Sequence, residues 1–87
     1  MIRVQTEDFD PGVEIARLHQ GRADIGAVVS FTGLVRGESH GEKLESMTLE
    51  HFPGMTEREL ARIADEARMR WSLNAVSIIH RVGELKP

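Results

Sequence analysis

Residues 24–37 read DIGAVVSFTGLVRG, and the placement of this stretch decides the fold. Ala27, Val29, Phe31, Gly33 and Val35 alternate with Val28, Ser30, Thr32 and Leu34. A strand points successive side chains to opposite faces, and here both faces carry apolar residues. The expectation is a central strand covered on both sides. Gly33 leaves a gap in that surface or marks a bulge.

Towards the N-terminus, Gly21 precedes this run and should stop a helix. Asp10 is a good N-cap for that helix, and Pro11 fits its first position, where a missing N–H costs nothing. Val13 and Ala16, joined by Ile15 and Leu18, give an apolar stripe reaching about Gln20. Before it, Ile2 and Val4 alternate with Arg3 and Gln5, which predicts a short strand over Ile2 to Thr6.

Towards the C-terminus, GESHGEKL (37–44) is polar with two glycines and reads as a loop. ESMTLEHF (45–52) alternates Met47, Leu49 and His51 against Ser46, Thr48 and Glu50, a strand with one wet face. Pro53-Gly54 breaks it. Thr56 and Glu59 then have capping-box spacing, and Leu60, Ile63, Ala64, Ala67 and Trp71 recur on one helical face. Glu66 and Arg70 are spaced as an i,i+4 ion pair. AVSIIHRV (75–82) predicts a last strand, ended by Gly83. The order is β-α-β-β-α-β in a single domain, which by itself suggests an α+β sandwich of the ferredoxin-like kind.

The 87 residues carry 11 Lys+Arg and 14 Asp+Glu, a net charge of -3, so a general nucleic-acid partner is not expected. With no cysteine, disulfides, thiolate metal sites and a cysteine nucleophile are excluded from these residues. No apolar run approaches a membrane span or a signal sequence, so no membrane partner is expected and the reading is cytoplasmic. The four histidines, His19, His40, His51 and His80, lack metal-ligand spacing, and no metal or cofactor is expected.

Arg36 is the residue that most suggests chemistry. It stands where an apolar run emerges into a Gly-containing loop, and a guanidinium there can clamp a phosphate or carboxylate bidentately. An ordinary charge ending a strand has the same appearance. His51 could face the same space, although it also reads as a satisfied rim histidine, and Arg81 could add positive charge, although it also reads as a solvated strand end.

Four motifs carry a family resemblance: F-x-G-x-V-R (31–36), LEHFPGM (49–55), DEAR-x-RW (65–71) and IHR-x-GEL (79–85). In this order they resemble the large subunit of molybdopterin synthase, the MoaE family. The resemblance implies an α/β-hammerhead fold, which departs from the ferredoxin-like sandwich and is preferred to it. It implies a role in molybdenum-cofactor biosynthesis: sulfur passes from the thiocarboxylate of a small ubiquitin-like carrier subunit, of the MoaD type, to a cyclic pyranopterin monophosphate, forming a dithiolene. It also implies a homodimer of large subunits within a heterotetramer. Carried over by motif, Leu34, Val35 and Arg36 bind the pterin substrate, Phe31 lies near the sulfur-donor tail or the pocket, and His51 belongs to the pocket framework. The family's catalytic lysines lie beyond Pro87, and Lys86 is not one of them. The expectation is therefore the N-terminal part of a longer subunit, inactive alone. The alternative is a non-catalytic ligand-binding or dimerisation module of ferredoxin-like type.

Overall fold

The computed structural model describes residues 1–87. Its elements are β1 (Ile2–Gln5), α1 (Pro11–His19), β2 (Glu38–Ser39), β3 (Glu42–Lys43), β4 (Met47–Leu49), α2 (Met55–Trp71), β5 (Ile78–Arg81) and β6 (Gly83–Leu85). The class is α+β, as expected. The strands form three two-stranded pieces: β1 with β5 in parallel, and β2 with β3 and β4 with β6 antiparallel. A ferredoxin-like sheet would join four strands into one layer, so that alternative is set aside.

Both helices start where their caps dictate. Asp10 Oδ1 accepts from the N–H groups of Gly12 (2.9 Å) and Val13 (3.3 Å), with Pro11 in the first turn. Of the expected α1 stripe, Ile15 and Leu18 are half-buried while Val13 and Ala16 face solvent. In α2 the Pro53-Gly54 turn admits the chain to the helix earlier than the Thr56 spacing suggests. Gly54 is the N-cap, and its N–H donates to Glu57 Oε2 at 2.6 Å. Thr56 lies inside the helix, and its Oγ1 accepts from the Phe52 N–H at 3.2 Å. Glu59 is free to pair with Arg62 instead. Arg62 also takes Glu66 at 3.3 Å, which displaces the expected Glu66–Arg70 pair, and Arg70 lies over the Trp71 ring at 5.1 Å.

α2 packs on β1, and only Ala64, Val82 and Leu85 are buried outright. The exposed surface is 7058 Å², against about 5,200 Å² for a closed fold of 9.8 kDa. The radius of gyration is 15.2 Å, against about 12 Å for a compact domain of this length. Most of the apolar residues thus sit on surface that this stretch of chain does not itself cover.

The central-strand expectation for residues 27–35 is the main correction. Residues 25–36 belong to no helix or strand, and no backbone hydrogen bond outside those elements involves them. Val29 and Phe31 are 95% and 97% exposed, and Leu34 84%; within 27–35 only Val28 and Val35 are half-buried. Alternating apolar residues state that a segment suits burial, but a ladder also needs a second row of N–H and C=O groups. Each strand of the three two-stranded pieces keeps a free edge, but residues 25–36 pair with none of them.

Two smaller corrections have local causes. The 37–44 loop closes into the β2–β3 hairpin because His40 (φ 52°) and Gly41 (φ 79°) both take the positive φ of a two-residue type I′ turn. Gly83 does not simply end the last strand. Its φ of 83° redirects the chain into β6, which pairs Met47 with Leu85 and Leu49 with Gly83.

Candidate functional site

Arg36 is exposed and forms no ion pair with any carboxylate of the chain. The backbone just after it is held from two directions. The Gly37 carbonyl accepts from the Leu44 N–H at 2.8 Å, at the base of the hairpin. A Cβ on Gly37 would stand 3.6 Å from Pro87 Cβ, so the residues after β6 run beside this point. The corner therefore collects Arg36, the hairpin base and the Lys86-Pro87 segment. Sequence reasoning found Arg36 but missed both neighbours. The His40-Gly41 pair was the available signal for the hairpin; the approach of Pro87 has no local signal.

The other expected site residues are spread out. Val35 is half-buried beside Arg36, and Leu34 is open to solvent. Phe31 lies five residues back along the unpaired segment, almost wholly exposed. His51 follows β4 on the side where Leu49 meets Gly83, whereas the corner lies where Met47 meets Leu85. Four residues of extended chain span roughly 13 Å, which separates His51 from the Met47 end of β4. His51 is half-buried, with its Nδ1 out of solvent contact and without a partner.

Arg81 does not join the corner either. Its Nε and Nη2 donate to the Thr6 carbonyl at 3.1 and 2.7 Å, and its guanidinium lies 3.6 Å from Asp8. It fastens β5 to the turn after β1. The clear pKa shifts also lie elsewhere. The Arg22 guanidinium, hydrogen-bonded to Asp24, holds that carboxyl below its ordinary value, with Asn74 helping. Arg62 does the same to Glu59. Both are exposed ties that position no ligand. No group of three or more His, Asp or Glu is arranged to hold a metal ion, and no helix is long and apolar enough to cross a membrane.

What the corner offers is an exposed guanidinium at the end of an apolar segment, with exposed Lys86 in the segment that runs beside it. Guanidinium suits a phosphate or carboxylate with two parallel N–H donors. The apolar neighbours Leu34 and Val35 suit the flat face or edge of a ring attached to that anion.

Comparison with known proteins gives these features a context. Residues 4–87 match the MoaE protein family. The molybdopterin synthase catalytic subunits of Mesorhizobium japonicum and Ralstonia nicotianae are 54% and 56% identical to the chain over 86 residues, and that of Escherichia coli 51%. The match takes in 99% of this chain but 53%, 49% and 57% of those relatives, so the chain spans about half their length. Among solved structures, the molybdopterin cofactor biosynthesis protein E of Burkholderia multivorans superposes with a TM-score of 0.85. The MoaE protein of Burkholderia ambifaria gives 0.87. Each is 47% identical and covers all of this chain and 56% of its own. The motifs, the fold and the extent of the match agree: the chain belongs to the MoaE family.

Proposed function

We propose that this chain supplies the substrate-anchoring part of a molybdopterin synthase large subunit, in molybdenum-cofactor biosynthesis. The substrate is a cyclic pyranopterin monophosphate. The sulfur donor is the thiocarboxylate of a small ubiquitin-like subunit of the MoaD type. The observation that carries the reading is Arg36: an exposed guanidinium, unpaired by any carboxylate, in the F-x-G-x-V-R motif of a chain matching MoaE over residues 4–87. Arg36 clamps the phosphate, while Leu34 and Val35 form an apolar shelf for the pterin. Phe31 and His51 frame the pocket further out.

Binding and orientation are what these residues contribute. Replacing ring oxygen functions by sulfur also needs groups that move protons and hold the thiocarboxylate, and the family resemblance puts those lysines beyond Pro87. The reading is thus of one N-terminal part of a longer cytoplasmic subunit, which dimerises, binds one small subunit per large subunit, and has no turnover as residues 1–87 alone.

Titration calorimetry with the pterin monophosphate tests it. Hydrogen bonds to a charged group contribute about 1.5–3 kcal/mol, so Arg36→Ala should weaken binding about 10- to 100-fold. Arg36→Lys should recover part of this, since an ammonium keeps the charge but loses the fork. Unchanged affinity in Arg36→Ala would remove the anion clamp and the reading with it.

A further inference from the structure

We propose that the β2–β3 hairpin is a positioning element for Arg36, with Gly41 at its tip as the positioning residue; this rests on the reading of Arg36 as the phosphate clamp. The backbone before Arg36 has no partner, because residues 25–36 lie outside every ladder and make none of the other backbone hydrogen bonds. The backbone after it is fixed at once, by the Leu44 N–H to Gly37 carbonyl bond of 2.8 Å. The hairpin therefore holds the one hydrogen-bonded end of the Arg36 backbone, and Pro87 runs close by, 3.6 Å from where a Cβ on Gly37 would stand.

The hairpin is short: its register joins only Glu38 with Lys43 and Ser39 with Glu42. Two-stranded hairpins of this size are marginal in water, so the turn decides whether it stays closed. Both turn residues sit at positive φ, His40 at 52° and Gly41 at 79°. Histidine tolerates that region and glycine favours it, while a β-branched residue is an outlier there. Closing the hairpin fixes where the Arg36 guanidinium starts from, so less ordering remains when an anion binds.

The test is a double-mutant cycle read by affinity for the pterin monophosphate in the intact subunit. Gly41→Val should open the turn without touching ligand, since the tip lies four residues beyond Gly37. If one molecule in about five keeps the closed form, the apparent Kd rises about fivefold. Gly41→Asn, which accepts positive φ, should restore the wild-type value. The melting temperature should not move, because no hairpin residue belongs to the buried set. In an Arg36→Ala background the Gly41→Val effect should vanish. A Gly41→Val loss of equal size in both backgrounds overturns the proposal, as does no loss at all. If Arg36→Ala itself leaves affinity unchanged, the phosphate-clamp reading fails first and the hairpin's role falls with it.

Discussion

Leu85→Ala is the substitution that most exposes how this chain is held together. Leu85 is 6% exposed, stands opposite Met47 in the β4–β6 ladder, and is one of three buried residues, all apolar. Truncation removes three carbons, each contributing about 0.8 kcal/mol when buried, for about 2.4 kcal/mol. Leu→Ala costs elsewhere run from about 2 to 5 kcal/mol, the upper part reflecting cavities that cannot collapse. Here the neighbours are half-exposed and can close in, so about 2–3 kcal/mol is expected. A domain of this length ordinarily has a stability of about 4–13 kcal/mol, and so open a structure belongs at the low end. The paired control is Phe31→Ala: a larger side chain, but 97% exposed, with an expected cost of no more than about 0.5 kcal/mol. The assay is urea unfolding followed by circular dichroism, at a concentration where sedimentation shows monomer. With a slope of about 1 kcal/mol/M, Leu85→Ala should lower the midpoint by about 2 M or leave the chain unfolded in buffer, and Phe31→Ala should barely shift it. Equal shifts for the two variants would refute the placement of the core.

Two further outcomes follow from the surface and from the charges. Val29, Phe31 and Leu34 leave an exposed apolar row on unpaired backbone, so residues 1–87 should self-associate at high concentration, and Phe31→Ser with Leu34→Ser should reduce this; sedimentation velocity showing a clean monomer at every concentration would count against it. Asp24 has its pKa lowered in the folded state by Arg22, so its contribution is present above the ordinary carboxylate range and is lost as pH falls through the lowered value. The stability difference between wild type and Asp24→Asn should therefore shrink between neutral and strongly acid pH, and a difference that stays constant would show that the charge is not what Asp24 contributes.

Much of the local structure was legible because its causes are local. Asp10-Pro11 fixes the start of α1, and the Leu60–Ala64–Ala67 spacing announces α2. Ile2 to Gln5 alternates as β1 does. The failures have a common physical origin. DIGAVVSFTGLVRG has a strand's composition, but pairing is a property of two segments, and its partner is not encoded in its own residues. The same holds for β6: Gly83 signals a turn, while the antiparallel return onto Met47–Leu49 depends on residues some 35 positions earlier. Glu57 rather than Glu59 closes the α2 cap because the Pro53-Gly54 turn sets the phase, which spacing alone does not reveal. Arg36 stands out in the sequence as a candidate because charge at the end of an apolar run is a local anomaly, and the structure leaves it exposed and free of carboxylates. The hairpin after it had a local signal in His40-Gly41 that alternation does not read, whereas the approach of Pro87 to Gly37 is a long-range fact. His51 was expected in the same space on strand alternation, which gives a face but not a position along it.

Arg36 is proposed to recognise the phosphate of a pterin substrate. The most direct measurement is the affinity of wild type and Arg36→Ala for the pyranopterin monophosphate and for the same pterin with its phosphate removed. Removing the phosphate should weaken wild-type binding about 10- to 100-fold and leave Arg36→Ala nearly unaffected, because the two changes delete the same contact. An equal loss in both proteins would place the phosphate elsewhere and contradict the account.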